Sequence, residues 1–359
     1  MRPEQLTDVR YEVERGLAWV TIDRPERLNA FRARTVDELI ACFKWAWADG
    51  AVGVVALTGA GERAFCAGGD QKQRAETGDY GPSESGLFEV ETLHRVIRDL
   101  PKPVVAAVNG LAIGGGHVLH VVCDLTIAAE HARFGQAGPR VGSFDAGFGS
   151  AYLARILGEK RAREVWYLCR QYDAATMERW GLVNAVVPMA QLRDEVRRWA
   201  DEMLTKSPTA LTILKHSFNA DSEAIGGIGT LAFDTLHIFG DTPEAKEGVA
   251  AFNEKRQPIY RGRRPCLANG WRYRDRRLSV AAGMLEYRRR FRRVLGWQCR
   301  LRHWVEFGLA VVERALERHF HGQSGTAFFS FALGFLQLLG DRAAPRQDIG
   351  TRLGDVRQD

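Results

Sequence analysis

Two apolar runs end in glycine clusters about 45 residues apart: "AFCAGGDQ" at 64–71 and "AIGGGH" at 112–117. No other feature narrows the fold as much. "VGVVALTGAG" ahead of the first and "VVAAVNGLAIGGG" leading into the second read as buried strands, because each is short, apolar and stopped by glycine. Glycine tolerates φ > 0 and lets another molecule approach the backbone closely. Each cluster therefore marks a strand end where backbone N–H groups can face a ligand. Either one alone is only a tight turn. As a pair, each after a buried strand and one opening a helix, they can hold an oxyanion between two N–H groups.

The rest of the first 260 residues fits the same frame. "YEVERGLAWVTIDRP" alternates with period two around a glycine, a hairpin signature. "RTVDELIACFKWAWADG" predicts an amphipathic helix with Thr35 as N-cap, Glu38 three residues on, and Gly50 as its stop. "ESGLFEVETLHRVIRDLPKP" predicts a helix up to its prolines, residues 116–123 another, and "DLTIAAE" a strand. Strands alternating with helices predict an α/β fold with right-handed crossovers. From 189 the character changes: "AQLRDEVRRWADEMLTKSP", "TALTILKHSFNAD" and "DTPEAKEGVAAFNEKRQP" predict successive helices. The expected organisation is a core at 1–188, a helical C-terminal subdomain at 189–260, and a tail at 261–359.

The net charge of +6 conceals this division. Residues 1–260 carry 30 Lys+Arg and 35 Asp+Glu, whereas 261–359 carry 20 Arg, no Lys and 9 Asp+Glu. The basic character belongs to the tail, so the first 260 residues offer no nucleic-acid surface. The tail is read as poorly ordered or non-native rather than as a basic binding segment, with 304–320 as its one helical stretch. The longest apolar run, 328–339, has 12 residues, and a spanning helix needs about 20. With a polar start, this gives the expectation of a cytoplasmic protein without a membrane segment. The cysteines at 42, 66, 123, 169, 266 and 299 form no C-x-x-C pair, which argues against a zinc ribbon or a disulfide framework.

Several familiar chemistries are absent. "GGG" does not match G-x-G-x-x-G, and no G-x-x-x-x-G-K-[ST] occurs. His117 and His120 lie three apart on a helix without a third ligand or H-E-x-x-H, so they are read as packed histidines. Ser143 lacks the G-x-S-x-G context of a nucleophile and is assigned hydrogen bonding. Asp145 in "GSFDAGFG" is either a turn-capping carboxylate or a catalytic one. Tyr80 sits in "GDYGPSESG", a loop suited to a lid. Trp166 is a core aromatic whose indole N–H is its one polar handle.

"AFCAGGDQ", "NGLAIGGGHVLHVVCDLTIAAEHARFGQAGPRVGSFDAGFG" and "GLVNAVVP" resemble the enoyl-CoA hydratase/isomerase (crotonase) superfamily across roughly residues 9–260. The resemblance implies a spiral of ββα turns with a helical oligomerisation subdomain, assembly as a homotrimer or homohexamer, and an acyl-CoA substrate. It also implies an oxyanion hole built from the N–H groups of Gly69 and Gly115. No metal and no redox cofactor is implied. Losing one donor of such a hole typically costs about 3–4 kcal/mol of transition-state stabilisation.

Hydratases of this superfamily add water with two glutamates, whose positions here hold Val118 and Gly138. Water addition needs both carboxylates within reach, so the expected reaction is a different one. "GGDQKQR", "GGGHVLH", "GQAGPRVGSFD", "AREVWYLCRQYDA" and "FNEKRQP" resemble the 1,4-dihydroxy-2-naphthoyl-CoA synthases, which close a ring by Dieckmann-type condensation in menaquinone biosynthesis. That resemblance implies a bicarbonate base held at Gln136, Gly138 and Trp166. It assigns catalytic roles to Tyr80, Ser143 and Asp145, and substrate or CoA contacts to Lys72, Arg74 and Lys255. "NAFRARTVDELI", "DYGPSESGLFEVETLHRVIRDLPKP" and "SPTALTILKHSFNAD" are more similar to 2-ketocyclohexanecarboxyl-CoA hydrolase, which opens a β-keto ring. Both relatives have a tyrosine where this chain has Gly240, next to Phe239. An inactive scaffold with a basic tail is the reading from another class.

Overall fold

The structure is a computed structural model, and residues 1–260 are described. The arginine-rich tail and its apolar run lie outside the described residues. The chain opens with β1 (Val9–Glu14) and β2 (Leu17–Ile22), then α1 (Ala33–Ala48). Next come β3 (Val54–Gly59), β4 (Ala64–Cys66), α2 (Gln71–Thr77) and α3 (Val90–Asp99). A second round follows: β5 (Val104–Val108), β6 (Leu111–Ile113) and α4 (Gly115–Val122). The third is β7 (Leu125–Ala129), β8 (Arg133–Gly135), α5 (Leu153–Leu157) and α6 (Glu159–Leu168). After β9 (Gln171–Asp173), α7 (Ala174–Arg179) and β10 (Ala185–Val187) come four helices. They are α8 (Leu192–Leu204), α9 (Pro208–Ala220), α10 (Glu223–Gly240) and α11 (Pro243–Asn253).

Each round sends a longer strand to a six-stranded sheet, ordered β1-β2-β3-β5-β7-β10, and a short one to a four-stranded sheet, ordered β4-β6-β8-β9. Pairing is parallel except for β1 with β2 and β8 with β9. This is the ββα spiral of an α/β crotonase fold. The large sheet is buried on both sides, as parallel sheets are. Val20, Ile22, Val55, Leu57 and Ala106 face α1, α3 and α4 through Leu39, Phe43, Leu93, Ile97 and Leu119. Alternate residues Leu17, Trp19, Val54, Ala56, Val105 and Ala107 face α8 through Leu192, Val196 and Ala200. Each large side chain buried this way contributes roughly 1.5–3 kcal/mol.

The α1 boundaries differ from expectation. Arg32 is the N-cap, and the helix ends with Asp49 in extended backbone, not with a glycine cap at Gly50. Thr35 Oγ1 donates to Asp8 Oδ2 at 2.6 Å and accepts from the Arg32 N–H. Glu38 is fully buried and accepts from the N–H groups of Thr7, Asp8 and Val9 at 2.7–3.0 Å. It thus ties the first strand to its own helix, where it also pairs with Arg34 at 2.8 Å. "VVAAVNGLAI" is two strands in different sheets, not one. Asn109 Nδ2 donates to the carbonyls of Gly59 and Gly61, and a Cβ on Gly110 would overlap the Arg63 carbonyl. The helix at 223–240 has no counterpart among the predicted elements, because Gly226, Gly227 and Gly229 depress its propensity.

Candidate active site

β4 and β6 are parallel neighbours, so their C-terminal ends bring the two glycine turns side by side. Gly68 has φ +89°, and a Cβ there would stand 3.0 Å from the Ile113 carbonyl and 3.1 Å from the Gly115 nitrogen. A Cβ on Gly116 would overlap the Cys66 carbonyl. Close approach thus demands glycine at 68 and 116, while Gly69 and Gly115 remain partly exposed. Among the described residues neither the Gly69 nor the Gly115 N–H donates a hydrogen bond. Gly115 begins α4, where the first N–H groups have no helical acceptor.

A buried ionic cluster, not anticipated from the sequence, holds the first turn. Asp70 caps α2, accepting from the Lys72 and Gln73 N–H groups at 3.1 Å. Its other oxygen takes Arg24 Nη2 at 3.0 Å, and Arg24 also faces Asp8, which Arg32 grips with two bonds of 2.8 Å. Burial pushes Asp70 up, but the Gln73 N–H and Arg24 outweigh it and hold its carboxyl below the ordinary value. The Phe31 N–H donates to the Gly68 carbonyl and the Asp70 N–H to the Phe31 carbonyl, completing the clamp.

Tyr80 lies directly over Gly69: a Cβ on that glycine would meet its ring at 2.5–2.8 Å. The ring stacks on Phe88 at 4.5 Å, and Phe31, against Gly115, joins both. Phe31 and Phe88 were not among the expected site residues.

Asp145 is half-buried and meets α4 at Val118, one turn beyond Gly115. A Cβ on Gly149 would lie 2.8 Å from the Asp145 carboxyl carbon and 2.9 Å from Val118 Cγ2. Asp145 Oδ1 accepts from the Gly147 and Gly149 N–H groups at 3.2 and 3.0 Å, capping the π turn Phe148–Tyr152. Its Oδ2 has no partner among the described residues, so one oxygen is anchored and the other available. Gly69, Gly115 and Tyr80 thus form one group and Val118 and Asp145 another, joined by the first turn of α4.

The Ser143 loop is braced from two sides. Arg74 Nη2 approaches the Gly142 carbonyl at 3.4 Å, and Gly142 and Gly248 of α11 meet backbone to backbone. Arg74 is thus half-buried against this loop, its Nη1 without a partner, whereas Lys72 and Lys255 are exposed. Phe239 packs on Phe144 at 5.4 Å, and Gly240 faces open space.

Of the three residues expected to hold a bicarbonate, Trp166 and Gln136 each have a partner within the chain. A Cβ on Gly138 would stand 2.7 Å from the Ser143 carbonyl and 3.1 Å from the Trp166 ring, so any side chain there would press on the Ser143 loop. Trp166 Nε1 donates to the Gly149 carbonyl at 2.6 Å, which uses its single donor. Gln136 is buried, with Nε2 3.4 Å from His117 Nδ1. Among the described residues no cluster of three or more His, Cys, Asp or Glu is placed to hold a metal.

Three histidines are fully buried. Burial pushes His117 down to about 3 and His120 well below its ordinary value, so both rings pack neutral, 4.8 Å apart. His94 on α3 was not singled out from the sequence. It is 1% exposed, neither ring nitrogen has a partner, and burial lowers its pKa against the charges of Asp145 and Glu91. Leaving a buried polar group unpaired costs about 1–3 kcal/mol.

A ββα spiral whose paired glycine turns present two free N–H groups beside a carboxylate defines a class of enzyme that acts on thioesters. The chain belongs to the enoyl-CoA hydratase/isomerase family, whose model matches residues 12–263. Among solved structures it is similar to carnitinyl-CoA hydratase from Mycobacterium avium. Identity is 30% over 73% of this chain and 100% of that one, with a TM-score of 0.64. An enoyl-CoA hydratase from Mycobacterium avium subsp. paratuberculosis shares 29% identity over 71% of this chain and 99% of its own, TM-score 0.63. One from Bacillus anthracis shares 30% over 72% and 100%, TM-score 0.55. Among the described residues no helix is long and apolar enough to cross a membrane.

Proposed function

We propose that the chain forms or breaks a carbon–carbon bond beside a CoA thioester through an enolate, and is not a water-adding hydratase. The observation that carries this reading is the position of Asp145. It is a carboxylate with a free oxygen beside Val118, the residue one turn of α4 beyond Gly115, while Val118 and Gly138 stand where a hydratase has its glutamates. In this reading the Gly69 and Gly115 N–H groups hold the thioester oxygen as negative charge develops on it. Asp145 Oδ2 takes the α-proton, the C–H pair moves into the enolate, and the enolate carbon attacks a second carbonyl, that of the aryl carboxyl group, whose hydroxyl takes a proton and leaves as water. Tyr80 and Ser143 position that carbonyl and supply the proton its oxygen needs. The closest chemistry is Dieckmann-type ring closure of o-succinylbenzoyl-CoA, a lyase reaction. Ring opening of 2-ketocyclohexanecarboxyl-CoA is the second reading. It is the same enolate chemistry run in reverse and calls on the same groups.

Exposed apolar side chains on α9 and α10, among them Phe218, Leu231 and Ile238, favour a trimer or hexamer in which these helices are covered. The test is direct: the purified chain is offered o-succinylbenzoyl-CoA, 2-ketocyclohexanecarboxyl-CoA and crotonyl-CoA. Turnover of either of the first two, lost in Asp145→Asn, is the expected result. Brisk hydration of crotonyl-CoA with neither of the others consumed overturns the proposal.

A further inference from the structure

The most unusual buried group outside the mechanism above is His94. Its ring is sealed by Phe148 at 6.1 Å and Phe233 at 6.2 Å, and neither nitrogen has a hydrogen bond. Phe148 belongs to the turn that Asp145 caps, so the imidazole packs against the element whose first N–H groups fix Asp145 Oδ1. The charged groups around it are few. Asp145 comes from the facing loop and Glu91 from its own helix. Glu91 is already engaged by Arg95 and Thr230. Arg98, one turn further along α3, is turned to Ser222 and over the Phe148 and Tyr152 rings. From α10 the ring meets Phe233, which offers no polar atom. Of these two carboxylates, Asp145 lies in the turn that packs on the ring through Phe148, and its Oδ2 has no partner among the described residues.

We propose that His94 is a positioning residue for Asp145: as substrate fills the site, its neutral ring N–H comes to bond the free carboxylate oxygen and aims it at the substrate. This deepens the function proposed above and rests on its assignment of Asp145 as the base. A neutral imidazole has one donor and one acceptor, which suits holding a carboxylate without adding charge to an apolar pocket. Catalytic hydrogen bonds of this kind are often long in the free enzyme and tighten when substrate arrives.

Two measurements on the full chain test it. Histidine-labelled protein is examined by NMR, with the His94 signals assigned by their loss in His94→Phe. In wild type His94 is expected as a neutral ring of one tautomer. Asp145→Asn is expected to shift its ring signals and move its titration to lower pH, because the carboxylate that favours its charged form is gone. Turnover is then followed on whichever thioester the wild type consumes. His94→Phe is expected to fold at least as well as wild type and keep KM within about twofold. Its kcat should fall by about tenfold or more, with partial recovery in His94→Gln, which restores a donor. Unchanged His94 signals in Asp145→Asn, or a His94→Phe enzyme with full kcat, overturns the proposal. If neither thioester is consumed, the proposed reaction falls, and the NMR comparison alone decides whether His94 serves Asp145.

Discussion

Gly116 and Gly69 look alike in sequence and are held by different constraints. A side chain on Gly116 would overlap the Cys66 carbonyl, which is strand backbone and cannot yield. Gly116→Ala is therefore expected to cost about 1–3 kcal/mol or more, read as a lower urea midpoint. A side chain on Gly69 would meet the Tyr80 ring, which can swing aside. Gly69→Ala is expected to leave the midpoint within about 0.5 kcal/mol of wild type and to lower kcat/KM, because the displaced ring no longer covers the turn. The glycine pair was legible because clustered glycines at the end of a short apolar run mark a strand end whatever follows them. Asp145 was legible only as two alternatives. The structure gives both features at once, a capping oxygen and a free one, and no spacing rule announces that division. His94 was legible only as a position: it lies four residues after Val90 and three before Ile97, on the apolar stripe of α3, but spacing does not say whether a buried ring finds a partner.

At the scale of elements, the loop between β2 and α1 is fixed by charge. Burial alone would raise the Asp8 carboxyl. Hydrogen bonds from Arg32 and Thr35, with the charges of Arg32 and Arg24, outweigh it and hold the group below its ordinary 3.8. A carboxyl depressed in the folded state contributes stability that is fully present above its unfolded value and is lost as pH falls through the lower folded value. Urea midpoints are therefore expected to fall steeply from about pH 4 downward. Asp8→Asn should be less stable near neutrality and should show a shallower fall. An equal slope in both proteins would remove Asp8 from the account. The same cluster explains why helix-start rules misplaced Thr35 and Glu38. Those rules weigh neighbours three residues apart, whereas Asp8 and the Thr7–Val9 backbone compete for the same groups from about 30 residues away. The split of "VVAAVNGLAI" was hidden for a related reason: only the partner carbonyls of Asn109 show that the chain leaves one sheet for the other.

For the molecule as a whole, 71–73% of this chain spans 99–100% of two mycobacterial relatives. A protein ending at residue 263, where the family match ends, is expected to keep the melting temperature and turnover of the full chain. A large loss of either would assign the arginine-rich segment a role in the enzyme. The alternation of strands and helices made the spiral readable at this scale, because each round repeats the same apolar pattern. Helix α10 escaped notice since three glycines mask it. Yet one side of it packs where Gly147 and Gly229 come together, close behind Asp145.

The Tyr80 ring resting on Gly69 has a consequence for affinity. In the proposed site the ring stands beside one donor of the oxyanion hole, so an acyl group reaching that donor first shifts the ring to where Tyr80 meets the second carbonyl. The measured Kd is then the intrinsic one divided by the fraction of molecules whose ring has swung away. Short acyl groups gain too little contact to displace it. Cyclic or aromatic ones can replace its stacking on Phe88 with their own. Selectivity for ring-bearing acyl chains would thus be written into the resting state, before any substrate contact is made.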